Sequence, residues 1–102
     1  MKSYDVFLHT PIGKRKGEMN IKIENGMLFG FLSLFGNTEP IEGTVDESGH
    51  CSVCGKFTTL MKSVMFQAKG RIHSDRLQLA MLCDSGSYQL EGTPSNAKEV
   101  DN

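Results

Sequence analysis

Hydrophobic and polar residues alternate with a period of two along most of this chain. In the segment SYDVFL, for example, Tyr4, Val6 and Leu8 share one side. Alternation of this kind is typical of β-strands with one buried face and one solvated face. Turn-forming residues interrupt it seven times, and no segment supports a long amphipathic helix. The pattern predicts eight strands, at residues 2–10, 14–24, 27–35, 39–46, 50–60, 62–73, 76–83 and 87–93.

The connections between these strands are too short for crossovers, so neighbouring strands must be antiparallel. Turns at 25–26, 48–49 and 74–75 recur at spacings of 23 and 26 residues, which indicates about four successive two-strand units. Closure of the sheet would remove its two exposed edges. We therefore predict an all-β fold, a calycin-like, eight-stranded antiparallel up-and-down (meander) barrel. It would form one domain at 1–93, followed by a polar C-terminal tail at 94–102.

Glycines inside the predicted strands agree with a small barrel, because a missing side chain lets a coiled sheet bend or lets a neighbour pack closely. These positions are Gly17, Gly30, Gly43, Gly55, Gly70 and Gly92.

Several turn and glycine motifs carry a resemblance to a group of known proteins. The segments TPIG (10–13), IEGTVDESG (41–49) and QLEGT (89–93) resemble those of small, uncharacterised bacterial single-domain proteins built from repeated strand–turn units. The resemblance covers nearly the whole chain and implies an eight-stranded meander like that of avidins and lipocalins. It implies no catalytic residues, and the segments TTLMKS (58–63) and CSVC (51–54) depart from it.

Composition narrows the possible partners and the compartment. The chain has 102 residues and a net charge of -1, so it lacks the basic excess of a nucleic-acid-binding protein. We expect no nucleic-acid partner. The N-terminus alternates and lacks the apolar core of a secretory signal, and no segment approaches a membrane span, so we expect a cytoplasmic protein without a membrane partner. Three cysteines are too few for a disulfide framework and fit a reducing compartment.

The segment GHCSVCGKF, at 49–57, contains a Cys-x-x-Cys pair, which is a common zinc or redox motif. Strand alternation runs through it, so Cys51 should face the core and Cys54 the solvent. We therefore expect neither a metal nor a bond between them. A turn at 61–62 would place His50 opposite His73, and Cys54 opposite Lys69. The two histidines, with Asp46 nearby, are weak candidates for a metal site.

The strand MLFGFLSLF, at 27–35, is apolar on both faces. Leu28, Leu32 and Leu34 take one face, and the residues on the other face would form an exposed apolar patch, which usually marks an interface. The predicted interface residues are Met27, Phe29, Phe31 and Phe35. Two alternatives remain, namely that a terminal segment covers these side chains or that a bulge at Gly30 turns some of them inward.

The side chains predicted to face the interior are almost all apolar. They are Tyr4, Val6, Leu8, Met19, Ile21, Ile23, Leu28, Leu32, Leu34, Ile41, Val45, Cys51, Val53, Phe57, Val64, Phe66, Ala68, Ile72, Leu77, Leu79, Met81, Tyr88 and Leu90. No polar cluster among them is suited to catalysis, so we expect no enzyme, no catalytic residue and no cofactor.

Two functional hypotheses follow from this composition. The first is a structural or interaction protein that forms a homodimer through the apolar strand at 27–35. The alternative is a module that binds a small apolar ligand in the barrel interior or at its mouth, with Tyr4, Met19, Met81 and Tyr88 as candidate lining residues. The basic run KRK, at 14–16, could contact an anion or an acidic partner, although such a run is usually a solvated turn.

Overall fold

The computed structural model describes residues 2–95, which form eight antiparallel strands that close into an up-and-down barrel. This confirms the predicted fold. The strands are β1 Lys2–Thr10, β2 Gly13–Glu24, β3 Met27–Leu34, β4 Asn37–Val45, β5 His50–Thr58, β6 Ser63–Ile72, β7 Leu77–Cys83 and β8 Gly86–Pro94. Each strand pairs with the next along the chain, and β8 pairs with β1 to close the barrel.

The seven turns divide between the two ends of the barrel. We call one the Tyr4 end, which carries the turns between β2 and β3, β4 and β5, and β6 and β7. The Phe35 end carries the other four turns, including the four-residue loop 59–62 between β5 and β6.

A single apolar cluster fills the barrel between these ends, and all eight strands contribute buried side chains to it. Nearly all of the predicted inward residues are buried there or packed against it, as the alternation predicted. Ile23 is the exception, because it is 44% exposed near the end of β2. No polar or charged residue within 2–95 is buried.

Close contact between strands explains why glycine occupies inward-facing strand positions. A Cβ atom at Gly30 would overlap the carbonyl oxygen of Asn20 on β2, and one at Gly43 would overlap that of Ser52 on β5. The backbones of neighbouring strands therefore occupy the space that a side chain would need, which lets the sheet coil tightly enough to close.

The hairpin of β5 and β6 differs in register from the prediction. His50 lies opposite Arg71, and Cys54 lies opposite Gln67. The predicted pairs of His50 with His73 and of Cys54 with Lys69 are therefore wrong by two residues. The cause is a longer loop, because the Thr59 hydroxyl accepts hydrogen bonds from the amides of both Met61 and Lys62, each at 3.2 Å.

The last strand extends slightly beyond the predicted domain boundary. Pro94 lies opposite Tyr4 in the pairing of β8 with β1, and the amide of Ser95 donates a hydrogen bond of 2.9 Å to the carbonyl oxygen of Ser3. The rest of the predicted polar tail, residues 96–102, lies outside the described residues.

Candidate functional site

The outer wall of the barrel carries an apolar groove of about 550 Å³ that crosses several strands. The exposed apolar side chains that line it are Phe29 and Phe31 on β3, Pro40 on β4 and Met65 on β6, with Cys54 on β5. We call these five residues the outer patch. Lys22 and Glu42 also line the groove, so the patch has a charged border.

The geometry of β3 explains why this patch exists. Leu28 and Leu32 are buried in the core, so strand alternation turns Phe29 and Phe31 outward, where they are 44% and 46% exposed. Phe31 lies opposite Pro40 in the pairing of β3 with β4. Met27 shares the outward direction and is 44% exposed. The predicted division of this strand into a buried and an exposed apolar face is therefore confirmed.

Phe35 is the one predicted interface residue that lies elsewhere. It follows the end of β3 with a positive φ of 55°, which breaks the strand alternation. Its ring centre lies 5.6 Å from that of Phe57, a core residue at the barrel end. Phe35 therefore belongs to the Phe35 end, and its expected place on the outer face with Phe29 and Phe31 is wrong.

A second cavity, of about 480 Å³, opens at the Phe35 end. Its apolar lining residues include Leu8, Phe35, Phe57, Val64 and Tyr88, and the turn residues around it include Ile12, Met61 and the two cations Arg15 and Lys62. The Tyr88 and Ser85 hydroxyl oxygens, 2.9 Å apart, share a hydrogen bond at the rim. This cavity is therefore apolar inside and cationic at its edge.

The Tyr4 end carries a smaller cavity of about 420 Å³ with a more polar character. It is bordered by Tyr4, Ile23 and His73, together with Lys2, Ile21, Lys22, Ile72 and Ser74. The Tyr4 hydroxyl donates a hydrogen bond to the carbonyl oxygen of His73 at 3.1 Å. Burial of the ring raises the pKa of Tyr4 above its usual value.

The four residues proposed as a ligand-binding group form two separate cross-strand pairs, Tyr4 opposite Met19 and Met81 opposite Tyr88. Met19 and Met81 are fully buried in the core, while Tyr4 and Tyr88 line cavities at opposite ends of the barrel. The expectation that all four would share one mouth is wrong, because the order of the strands places the first pair towards the Tyr4 end and the second pair towards the Phe35 end.

The two candidate metal ligands also have separate environments. His50 accepts a hydrogen bond at Nε2 from Arg71 Nε at 3.0 Å, and its Nδ1 lies 3.6 Å from Asp46 Oδ2. His73 lies in the turn after β6 and is exposed. Within residues 2–95, no three His, Cys, Asp or Glu side chains form a group that could hold a metal ion.

The cysteines occupy the positions that strand alternation predicted. Cys51 is buried, Cys54 is exposed, and both are free thiols. Burial raises the pKa of the Cys51 thiol to about 11, because the thiolate would lose its hydration. A hydrogen bond with the Gly70 backbone lowers this pKa and the negative charge of Asp46 raises it, but both act less strongly than burial. Cys51 is therefore a core residue, and Cys54 belongs to the outer patch.

Sequence reasoning missed the residues that neighbouring strands add to these two regions. Met65 and Pro40 complete the outer patch beside β3, and Arg15 reaches the Phe35-end cavity from the basic run at 14–16. Only the register between strands brings these residues together. Alternation within each strand predicts whether a side chain faces inward or outward. The register between strands decides which of these side chains lie next to each other.

Comparisons with known proteins give no further guide to these surfaces. The search of protein-family models, of curated proteins and of solved structures found no significant match to this chain. Among residues 2–95 there is no helix of the length and apolar character needed to cross a bilayer.

Proposed function

We propose that this protein is a non-catalytic structural or interaction module that self-associates through the outer patch as a homodimer. The observation that carries the proposal is the groove on the outer wall, where two phenylalanines lie beside Pro40 and Met65. Met65 is 71% exposed, so most of its surface contacts water unless a partner covers it. Exposed apolar groups that adjoin one another in this way usually mark an interface.

A second copy of the chain can cover this surface in a two-fold arrangement. Covering Phe29 and Phe31 would contribute on the order of 3 kcal/mol from each copy before the costs of association. A two-fold arrangement brings the same patch from both copies together and closes without further growth. Lys22 and Glu42 on the border carry opposite charges, so a two-fold dimer can pair them across its rim, with Lys22 exchanging its exposed contact with Glu24 for one with the second copy.

The test is the molar mass in solution of the double variant Phe29→Ser with Phe31→Ser, measured by light scattering after gel filtration. We expect the mass of the original dimer to fall by half, with the strand-type circular dichroism spectrum retained. Phe7→Ser is the matched control, because Phe7 is an outward phenylalanine of β1, is 40% exposed and lies outside the groove. This control should remain a dimer.

Two outcomes would contradict self-association through the outer patch. The original protein could be a monomer across the whole accessible concentration range, or the Phe7 control could dissociate as completely as the double variant. If the double variant unfolds, the single changes Phe29→Ser and Phe31→Ser are measured separately, and each should weaken the dimer.

A second candidate function is the binding of a small apolar ligand at the barrel mouth. The cavity at the Phe35 end favours it, since its volume of about 480 Å³ falls within the usual range of ligand sites. The interior is a less suitable place for a ligand because buried side chains from all eight strands occupy it. Native mass spectrometry of protein purified from its host would separate the two functions, since it detects both a retained ligand and the number of subunits.

Both candidates include a cytoplasmic location. The presence of three free cysteines, two of them accessible to solvent, supports this part of the proposal, because such thiols persist in a reducing compartment.

A further inference from the structure

The charged side chains that line the Phe35-end cavity are all cationic. Arg15 and Lys62 are among the lining residues, and no Asp or Glu is. Neither cation forms an ion pair with a carboxylate of residues 2–95. The Tyr4-end cavity is also lined by two lysines, Lys2 and Lys22, and by no carboxylate, but there Lys22 lies 3.4 Å from the carboxylate of Glu24. The Phe35 end therefore combines an apolar cavity with positive charge that the protein does not neutralise.

The basic run at 14–16 supplies one of these charges because strand alternation divides it. Arg15 has the same direction as the inward residues Met19 and Ile21 of β2, and it lies opposite the core residue Leu8. Lys14 points to the outer wall, where its Nζ lies 5.9 Å from the centre of the Phe7 ring. Only Arg15 of the three therefore lines the cavity.

The loop 59–62 supplies the second charge and is held in a defined shape. The Thr59 amide and hydroxyl both donate hydrogen bonds to the carbonyl oxygen of Lys62, at 2.9 and 3.1 Å. The same hydroxyl oxygen accepts the amide of Lys62 at 3.2 Å. These contacts hold the Lys62 backbone beside the cavity, while the ammonium group remains exposed and adjustable.

The floor of the cavity is apolar and already formed. Leu8 and Phe57 are 2% and 8% exposed, and the Phe35 ring packs on Phe57. Ile12 and Met61 on the surrounding turns are 80% and 90% exposed, so they leave apolar surface that an occupant would cover. A ligand that fits this cavity would therefore place apolar surface on the floor and a negative charge at the rim.

We infer that the Phe35 end binds a small amphipathic carboxylate, with its acid group on Arg15 and Lys62 and its unbranched apolar chain against Phe35 and Phe57. The Arg15 guanidinium can donate two parallel hydrogen bonds to a carboxylate, and Lys62 adds a point charge. The inference rests on the second candidate function above, and it goes beyond it by requiring the ligand to be an anion.

Isothermal titration calorimetry at low salt tests the charge requirement with three probes that carry a straight ten-carbon chain, the two ionic probes kept below their micelle concentrations and the alcohol below its solubility limit. These are decanoate, decan-1-ol and decyltrimethylammonium. We expect decanoate to bind at least about tenfold more tightly than the alcohol, because its contacts with the cations are charge-assisted, and the ammonium probe to bind most weakly.

Charge-removing variants then locate the site. Arg15→Gln with Lys62→Gln should weaken decanoate binding about tenfold and leave decan-1-ol binding unchanged. Lys14→Gln with Lys16→Gln is the matched control, since it removes the same net charge from residues that do not line the cavity. Phe35→Asn should weaken the binding of both decanoate and decan-1-ol. We expect this variant to fold, because asparagine accepts the positive φ of this position.

The outcomes distinguish failure of this inference from failure of the proposals before it. Equal affinity for the acid and the alcohol would leave an apolar site and overturn the charge requirement. Failure of all three probes to bind would overturn the site itself. Binding only to vesicles of anionic lipid, and not to soluble decanoate, would overturn it in favour of a membrane surface. Self-association is measured separately, because Phe29 and Phe31 lie outside this cavity.

Discussion

The two ends of the barrel are built from the same kind of hairpin but are held together differently. At the Tyr4 end, backbone hydrogen bonds connect neighbouring hairpins, from Val45 N to Gly26 O and from Ile72 N to Gly49 O, both at 2.9 Å. At the Phe35 end, most hydrogen bonds remain within one hairpin, and side chains make the bonds that cross: Asn37 Nδ2 donates to the carbonyl oxygen of Thr58 at 3.0 Å, and the Thr58 hydroxyl donates to the carboxylate of Glu39. Neighbouring hairpins are therefore joined through the backbone at the Tyr4 end and through side chains at the Phe35 end.

The charges of the turns also differ, although both end cavities are lined by cations and by no carboxylate of residues 2–95. The turns of the Tyr4 end carry three acidic residues and Arg76, whereas those of the Phe35 end carry one charge of each sign, Lys62 and Asp84. The two ends therefore differ in how they stabilise the fold, and the Phe35 end is the one that we propose for ligand binding. Contacts that cross between hairpins stabilise the barrel, and the proposal of a ligand site rests on the preformed apolar surface at the Phe35 end with its two cations.

The largest expected difference between the ends is in the cost of removing an aromatic ring. Tyr4→Ala empties a fully buried position and breaks the hydrogen bond to His73, so we expect the free energy of unfolding to fall by about 3–5 kcal/mol. Phe35→Asn removes a ring that is 37% exposed and places a suitable residue at a positive φ, so its cost should be below about 2 kcal/mol. Urea denaturation measures both. Similar losses would show that the two ends stabilise the barrel equally.

Most of the fold could be predicted from the sequence because a period of two depends only on each strand's own residues. The eight strands, the closed barrel and the opposite directions of Cys51 and Cys54 all follow from it. The face of Phe35 did not follow, because a single residue with positive φ reverses the direction of its side chain. The partners of His50 did not follow either, because register depends on loop length, and the loop 59–62 is two residues longer than the predicted turn.

The candidate surfaces were predictable only in part, for the same reason. Phe29 and Phe31 could be placed on the outer face from β3 alone, but Met65 joins them through the pairing of β5 with β6. The separation of Tyr4 from Tyr88 depends on the up-and-down order of strands, which the prediction contained but did not apply to these two side chains.

Alkaline pH is expected to lower the free energy of unfolding by an intermediate amount. The group responsible is the buried thiol of Cys51, on the strand that follows the Asp46 turn. Its pKa is raised to about 11 in the folded state from an ordinary value of 9.0, so the folded protein retains this proton at a pH where the unfolded chain loses it. The associated stability is present below pH 9 and is lost as the pH rises towards 11, with a total of about 3 kcal/mol. Denaturant midpoints measured from pH 8 to 11 record the loss.

Substitution of Cys51 shows how much of the stability lost at alkaline pH is due to its thiol. Cys51→Ala should unfold with a shallower pH dependence than the original protein, while the exposed Cys54→Ala on the same strand should not change the slope. Part of the slope should persist in Cys51→Ala, because burial also raises the pKa of Tyr4. An unchanged slope in Cys51→Ala would mean that the thiol is not protected in the folded state.

The smallest expected effect compares one aspartate from each end. Asp46 Oδ1 accepts hydrogen bonds from the amides of Ser48 at 2.8 Å and His50 at 3.0 Å, and so closes the turn before β5. Asp46→Ala leaves both amides to water, so we expect a loss of about 1 kcal/mol, similar to the loss of a helix cap. Asp84→Ala is the matched change in the turn between β7 and β8, where Asp84 makes no side-chain hydrogen bond or ion pair with residues 2–95, and it should cost less than about 0.5 kcal/mol. Chemical denaturation of the two variants side by side gives the comparison. Equal costs would mean that the hydrogen bonds of the Asp46 turn contribute nothing beyond those of an ordinary exposed turn.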